Sequence, residues 1–324
     1  MQPILCFGEA LIDFHPEGDD GRGFSRAYLP YAGGGQANVA AAVAILGGQA
    51  RFAGMLGTDR FGDFLLDRLQ QAGVDTRHVV RTDHAPTALA FVTLDAEGER
   101  SFVFYRPPSA DMLFRTEHLQ DAAFAESALL HVCSLSMSEP ELAETTREAM
   151  RRARDANALV TFDLNHRPLR WSVDHDPRPV MWTALELADV IKLSAEEMDF
   201  LASEGEAVML ERLWHGNARL LVVTDGGAPL RWYARDTSGK LPSYRSKVVD
   251  STAAGDAFVA GLAFRLVSQS IRPDGLDALV ADPARMQDTL RFAAACGAIT
   301  VTRKGSFSAM PTAAEVEALM GTHA

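Results

Sequence analysis

The sequence predicts an α/β protein with a mostly parallel central sheet that is covered by helices on both faces. Short apolar segments alternate with helical patterns, and the segment Leu220–Thr224 is continuously apolar, as buried parallel strands are. The chain has 324 residues, of which 47% are hydrophobic, enough for one large domain with a full core. The predicted strands are Ile4–Phe7, Arg51–Met55, Leu129–Val132, Leu159–Asp163, Val190–Lys192 and Leu220–Thr224, and the predicted helices are Asn38–Leu46, Phe61–Ala72, Glu139–Ala156 and Glu196–Leu201.

Two stretches interrupt this alternation. The segments Ala88–Leu94 and Ser101–Tyr105 are joined by Ala96-Glu97-Gly98-Glu99 and predict an antiparallel hairpin. The hairpin has apolar residues on both faces, which is typical of an element that covers a ligand cleft or a partner subunit. The polar, glycine-containing stretch Phe14–Gly23 is predicted to be a flexible connection. We expect one domain over residues 1–324 with a small β lid formed from about 14–35 and 86–108.

Composition excludes several classes of function. The net charge of −12 argues against a nucleic-acid partner, because a phosphate backbone requires a basic surface. The chain has neither a signal-peptide pattern nor an apolar run of about 18 residues, so we expect no membrane partner. The three cysteines, Cys6, Cys133 and Cys296, are widely spaced, match no metal-site pattern and fit a reducing cytoplasm. The sequence has no Walker motif.

The segment Asp250–Asp256, followed by an apolar helical pattern, predicts an anion site. Small residues that lead into a helix bring main-chain amides together at its N-terminus, where the helix dipole favours an anion such as phosphate. Asp256 is unexpected there, because a carboxylate repels a bound phosphate. It therefore serves either as a helix cap or as a base that removes a proton from a hydroxyl group.

A glycine cluster precedes a second predicted helix. Gly33, Gly34 and Gly35 permit unusual backbone angles and predict a hinge for the β lid. Asn38 follows them, and the residues alone favour a helix cap over a ligand role for its side chain. The spacing does not fit a dinucleotide-binding Gly-x-Gly-x-x-Gly motif, which disfavours a Rossmann dehydrogenase.

Five ordered segments resemble the ribokinase/PfkB family of sugar kinases, and most closely its fructokinases. They are Gly8-Glu9-Ala10-Leu11-Ile12-Asp13-Phe14, Gly33-Gly34-Gly35-Gln36-Ala37-Asn38-Val39-Ala40, Phe104-Tyr105-Arg106-Pro107-Pro108-Ser109-Ala110-Asp111-Met112-Leu113, Asp250–Asp256 and Ala295-Cys296-Gly297-Ala298-Ile299-Thr300. The resemblance extends over essentially the whole chain. It implies a ribokinase-like three-layer α/β/α fold, and ATP-dependent phosphorylation of a sugar hydroxyl, with D-fructose converted to fructose 6-phosphate.

The resemblance also implies roles for individual residues. Asp256 is the expected general base, and the main-chain amides of Ala253–Asp256 (Ala253, Ala254, Gly255 and Asp256) form the expected anion hole for the transferred phosphoryl group. Asp13 is expected to accept hydrogen bonds from two sugar hydroxyls, although from the residues alone it could also cap a turn. The other expected sugar contacts are Gly33, Gly34, Asn38, Arg106, Asn165 and Arg167.

Nucleotide and ion contacts are expected after the later strands. The expected ATP contacts are Lys192, Thr224, Gly226, Gly227, Gly255 and Ala295. Glu197 is expected to hold Mg²⁺ through water, but Ser194 stands where many relatives have Asn, so Glu197 could instead lie on a solvated helix face. Asp250 and Thr252 lie beside a possible K⁺ site.

Alternatives remain open from the sequence. A kinase of 2-keto-3-deoxygluconate would need arginines for the carboxylate of its substrate, and Arg106 and Arg167 fit that need. A ribose or nucleoside kinase is a further alternative within the family, and a non-catalytic binding protein is a different class. A binding protein would gain nothing from a carboxylate that faces phosphate, so Asp256 favours an enzyme. The apolar lid also predicts a homodimer.

Overall fold

The computed structural model describes residues 1–19, 25–94, 100–105, 108–171 and 175–322. Its main sheet has nine strands in the order β13-β12-β11-β10-β9-β8-β1-β4-β5, and all neighbouring pairs are parallel except β11–β12 and β12–β13. These strands are β1 Ile4–Phe7, β4 Ala50–Gly57, β5 Asp75–Thr82, β8 Leu129–Cys133, β9 Leu159–Asp163, β10 Val190–Ser194, β11 Leu220–Thr224, β12 Leu230–Tyr233 and β13 Ser238–Leu241.

Helices cover both faces of this sheet, which confirms the predicted three-layer architecture. In β1, Ile4 and Cys6 pack into one hydrophobic core, whereas Leu5 and Phe7 pack into the other, because successive side chains of a strand point to opposite faces. The helices are α1 Gly35–Ile45, α2 Arg60–Gln71, α3 Asp121–Ala125, α4 Pro140–Asp155, α5 Arg178–Leu185, α6 Ala195–Leu201, α7 Glu206–His215, α8 Ala254–Ser268, α9 Leu276–Val280, α10 Pro283–Thr300 and α11 Ala313–Thr322. Among the described residues, no helix is both long and apolar enough to cross a membrane.

A second sheet of four strands, in the order β3-β2-β6-β7, lies beside the main one. Its strands are β2 Leu11–Asp19, β3 Ser25–Gly33, β6 Leu89–Leu94 and β7 Arg100–Tyr105. The predicted hairpin is confirmed as the antiparallel pair β6–β7, and its turn lies outside the described residues.

The prediction of a flexible connection over Phe14–Gly23 was wrong as far as Asp19, because that stretch continues β2; residues 20–23 lie outside the described residues. Pro16 and Gly18 made the stretch look irregular. Past Phe14, β2 has β3 as its only described partner, so this part of the strand tolerates the missing N–H group of Pro16.

Candidate active site

The carboxyl ends of the parallel strands bring the candidate residues to one edge of the main sheet. Glu9 follows β1, Asp163 ends β9, and Ser194 of β10 is paired in register with Thr224 of β11. Helices α1 and α8 pack against each other and against β1. Ligands of open α/β sheets bind at this edge.

Asp256 lies in the first turn of α8 and is buried. Its Oδ2 accepts a hydrogen bond of 2.7 Å from Asn38 Nδ2, and its Oδ1 lies 3.5 Å from Asn165 Nδ2. Neither Asp256 nor Asn38 is a helix cap, because the caps of α8 and α1 are Ala253 and Gly34. The capping interpretation of Asn38 was therefore wrong: α1 begins three residues earlier than predicted, and Asn38 orients Asp256 instead.

Burial raises the pKa of Asp256 to about 6, well above the ordinary value for an aspartate. The hydrogen bond from Asn38 lowers this pKa, the neighbouring carboxylate of Asp163 raises it, and the cations Arg167 and Lys192 lower it. A carboxylate with a pKa near 6 is ionised at neutral pH and is a better proton acceptor than an ordinary aspartate.

Ala253 caps α8 in the left-handed conformation, with φ 61° and ψ 10°. No side chain of the described residues caps this end of the helix. The amide of Ala254 donates to Ser251 O at 3.3 Å, so it takes part in the turn that leads into α8. An alanine at positive φ is strained by about 1–2 kcal/mol, and such strain is characteristic of functional loops.

Asp13 and the glycine cluster lie together beside Asp256. Asp13 is buried in β2, opposite Tyr31, so its role as a turn cap is excluded. A side chain at Gly33 would begin 2.1 Å from Asp13 Oδ2, and one at Gly34 would begin 2.7 Å from Glu9 O. Glycine is therefore required at Gly34 for space and for its φ of 101°.

The pKa of Asp13 is also raised, to about 7. Burial is the largest cause, the carboxylates of Glu9 and Asp256 add to it, and Arg167 opposes it. The site therefore holds two buried carboxylates of raised pKa, and the charge of Asp256 contributes to the shift at Asp13.

Lys192 forms a buried ion pair with Asp163, at 3.1 Å between Nζ and Oδ1. Burial by itself would lower the pKa of Lys192, but Asp163 and Glu197 outweigh it and hold the pKa above its ordinary value. A side chain at Gly255 would begin 3.2 Å from Lys192 Nζ, so the ammonium group lies directly beneath the start of α8. The expected contact between Lys192 and ATP remains a prediction.

Glu197 is engaged in capping α6. Its two carboxylate oxygens accept hydrogen bonds of 2.7 Å from the amides of Ser194 and His166, and Ser194 caps α6 in return. The alternative of a solvated helix face was wrong, because Glu197 is buried. The described residues contain no cluster of three or more side chains suited to a metal ion.

Asp250 connects the anion loop to the loop after α10. Its two oxygens accept hydrogen bonds from Thr252 N at 2.8 Å and from Gly305 N at 3.2 Å, and the amides of Val249 and Asp250 both donate to Val301 O. A K⁺ ion at this junction would rely on main-chain carbonyl groups, as the resemblance implies.

The other predicted nucleotide contacts divide into two groups. Thr224 and the turn containing Gly226 and Gly227 lie at the site edge of β11, and the two glycines are exposed. Ala295 is fully buried in the core around α10, which contradicts the expected ATP contact at this residue.

The remaining predicted sugar contacts are Arg167, Asn165 and Arg106, and the structure describes the first two. Arg167 is exposed, but its charge lowers the pKa of both Asp13 and Asp256, which places it beside the pair. Asn165 has φ 41° and lies buried against Asp256. Arg106 lies outside the described residues.

Sequence reasoning missed Glu9 and Arg170, which form an ion pair of 2.8 Å at the same edge. Both side chains are at least 96% buried. The only signal in the sequence was a second arginine three residues after Arg167, and an arginine in a polar loop ordinarily lies in solvent.

Comparison with known proteins identifies the family. The model of the pfkB family carbohydrate kinases matches residues 1–313. A fructokinase of Oryza sativa subsp. japonica is 41% identical over 98% of this chain and 97% of its own length. Fructokinase of Xylella fastidiosa with bound ATP superposes with a TM-score of 0.95 at 51% identity, covering 99% of this chain and 98% of that one. Fructokinase of Vibrio cholerae O395 with fructose, ADP and calcium ion superposes with a TM-score of 0.87 at 32% identity over 98% and 99% of the two chains. The arrangement of buried carboxylates around an uncapped helix end and these similarities lead to one conclusion: the chain belongs to the pfkB family of carbohydrate kinases.

Proposed function

We propose that this protein transfers the γ-phosphoryl group of ATP to D-fructose and produces fructose 6-phosphate and ADP. The observation that carries the proposal is the position of Asp256, a buried carboxylate of raised pKa in the first turn of a helix that has no side-chain cap. The fructokinase relatives and the ATP-bound neighbour support the choice of substrates.

Asp256 acts as the general base. It accepts the proton of the acceptor hydroxyl as that oxygen bonds to the γ-phosphorus and the bond from the γ-phosphorus to the β,γ-bridging oxygen breaks. Asn38 holds the carboxylate in place through its 2.7 Å hydrogen bond. The amides of Gly255 and Asp256 stabilise the negative charge on the phosphoryl oxygens, and Lys192 beneath them adds a positive charge.

The charges at the site favour a neutral acceptor over a keto acid. Glu9, Asp13 and Asp256 are three buried carboxylates at the acceptor side, and Arg170 is paired with Glu9. An anionic substrate would be repelled by these carboxylates, and the exposed Arg167 beside Asp13 and Asp256 would only partly oppose that repulsion. This charge balance supports fructose over 2-keto-3-deoxygluconate.

Mg²⁺ and K⁺ complete the proposed site. Mg²⁺ binds chiefly through phosphate oxygens and water in kinases, which agrees with the few candidate metal ligands among the described residues. When bound, it neutralises charge on the phosphates. Glu197 orders the strand ends around the nucleotide by capping α6, and its expected contact with Mg²⁺ through water remains a prediction.

The protein is proposed to be a single cytoplasmic domain that forms a homodimer. Its second sheet is proposed to act both as the lid of the active site and as the dimer interface. Its aromatic side chains Phe14, Tyr28, Phe91 and Tyr105 form a connected cluster, and Tyr28 and Tyr105 are exposed. The three free, buried cysteines fit a reducing compartment. Sedimentation of the wild type as a monomer at micromolar concentration would contradict the dimer.

An assay of ADP release with fructose, 2-keto-3-deoxygluconate, ribose and adenosine tests the proposal. We expect kcat/KM for fructose to exceed that for every other acceptor by at least about tenfold. If kcat/KM for 2-keto-3-deoxygluconate equalled or exceeded that for fructose, the assignment of fructose as the substrate would be wrong.

A further inference from the structure

The ion pair between Glu9 and Arg170 has no role in the phosphoryl transfer described above. Its side chains are 3% and 4% exposed, so both charges have been withdrawn from water. A buried ion pair is costly to desolvate and rarely gains stability over apolar residues of the same size. A specific role for this pair is therefore a better explanation than stability.

The pair lies beside the proposed acceptor site and contacts β7 of the second sheet. The guanidinium of Arg170 stacks on the ring of Phe104 in β7, with 4.5 Å between the guanidinium carbon and the ring centroid. The main chain of Glu9 is in contact distance of Gly34, and its carboxylate contributes to the raised pKa of Asp13. Glu9 therefore faces the acceptor side of the site.

The guanidinium of Arg170 is only partly used. Its Nη2 donates to Glu9, whereas its buried Nη1 has no hydrogen-bond partner among the described residues. An arginine whose two terminal nitrogens are both available binds a carboxylate through two parallel hydrogen bonds. Glu9 already supplies such a carboxylate from within the protein.

We propose that Glu9 is a specificity-determining residue, which restricts the acceptor to neutral sugars by occupying Arg170. The inference rests on the proposed function, in which the acceptor binds beside Asp13. With Glu9 in place, an anionic acceptor meets a carboxylate and finds no available arginine partner at this position. Without the charge of Glu9, Arg170 becomes a buried cation that faces the same site and binds an acidic acceptor.

Glu9→Gln tests the proposal, because it keeps the size of the side chain and removes its charge. We expect the ratio of kcat/KM for 2-keto-3-deoxygluconate to that for fructose to rise at least about tenfold relative to the wild type. We also expect the keto acid to become a stronger competitive inhibitor against fructose, which measures binding even where turnover is slow. A structural disturbance alone would lower both activities without changing their ratio.

Two further variants serve as controls. Arg170→Gln in the Glu9→Gln background removes the guanidinium and returns the ratio to that of the wild type. Asp189→Asn disrupts another ion pair, between the buried Asp189 and the partly exposed Arg154 at the opposite end of β10, and leaves the ratio unchanged. If Glu9→Gln does not fold, Glu9→Ala also removes the carboxylate, and we expect it to shift the ratio in the same direction.

The outcomes separate the inference from the proposed function. An unchanged ratio and unchanged inhibition in a folded Glu9→Gln variant overturn the inference, as does an equal rise when Arg170 is also replaced. A wild type that phosphorylates no neutral sugar overturns the proposed function instead.

Discussion

Helices α6 and α8 begin at the same edge of the main sheet, but their first turns are built in opposite ways. Ser194 and Glu197 cap α6 reciprocally, so hydrogen bonds from the protein itself occupy this helix end. Helix α8 begins after Ala253 in a left-handed conformation, and no side chain among the described residues caps it. Uncapped N-terminal amides retain their capacity to bind an anion.

The comparison shows how similar sequence signals acquire different roles. Both helices have a carboxylate in the first turn, Glu197 in α6 and Asp256 in α8. Glu197 accepts two main-chain hydrogen bonds, whereas Asp256 accepts from the side chain of Asn38. A carboxylate that receives main-chain donors stabilises its helix, and one held by a side chain beside an uncapped end is available for chemistry.

The replacement Asp256→Asn has the largest expected effect on the α8 side of this comparison. We expect kcat to fall by about 10²–10⁴-fold, because the amide cannot accept the proton, while ATP affinity changes little. Steady-state kinetics and ATP titration by calorimetry measure the two quantities. Near-normal turnover would exclude Asp256 as the base.

The replacement Lys192→Met removes the buried ion pair with Asp163 close to the start of α8. It leaves Asp163 buried without its cation, and we expect the free energy of unfolding to fall by about 3–5 kcal/mol. Urea denaturation measures this loss. The double variant Asp163→Asn, Lys192→Met is the control and should recover much of the stability; a loss below about 1 kcal/mol in the single variant would contradict the prediction.

The pH dependence of activity and stability tests whether the pKa of Asp256 lies above that of an ordinary aspartate. Because its pKa is about 6 and the base must be ionised, kcat/KM should rise at least about tenfold between pH 5 and pH 7, and the ionisation of Asp13, whose pKa is about 7, adds to the rise. The folded pKa lies above the ordinary value, so protonation favours the folded state. The stability of the wild type relative to Asp256→Asn should therefore be greatest below about pH 4 and be lost as the pH rises through 6. An activity profile that is flat above pH 5 would contradict the raised pKa.

The replacement Ser194→Ala has the smallest expected effect. It removes the cap of α6, and we expect a loss of about 1 kcal/mol of stability with kcat and KM within about twofold of the wild type. Thermal unfolding and steady-state kinetics measure these values. A loss of kcat comparable to that of Asp256→Asn would show that the start of α6 contributes to the chemistry and would contradict this prediction.

Much of the fold could be predicted from the sequence, because local patterns carry it. The bounds of β1, β9 and β11 are those predicted from apolar runs, since a buried parallel strand is apolar on both faces. Strands β2 and β3 were harder to recognise. The solvated second sheet tolerates Pro16 and Gly18, and such residues resemble a loop in the sequence.

Part of the site could also be predicted, because a helix start and its small residues are contiguous in the chain. The motifs at Asp250–Asp256 and at the glycines that lead into α1 can therefore be recognised from the sequence without knowledge of the tertiary structure. Ala295 shows the limit of this reasoning: its neighbours in sequence resemble a family motif, but the side chain points into the core. A helix turns by 100° per residue, so adjacent positions face different surroundings.

Local patterning was therefore sufficient for the layers and for the helix start that follows Asp250–Asp256, since each depends on residues close together in the chain. The partners of the charged groups required the folded molecule. Asn38 meets Asp256 across 218 residues and Arg170 meets Glu9 across 161, because the packing of α1 against α8 and the parallel order of the strands bring distant segments to one edge. Whether a buried carboxylate acts as a cap, a base or a charge partner depends on which donor reaches it, and only the tertiary packing brings that donor close.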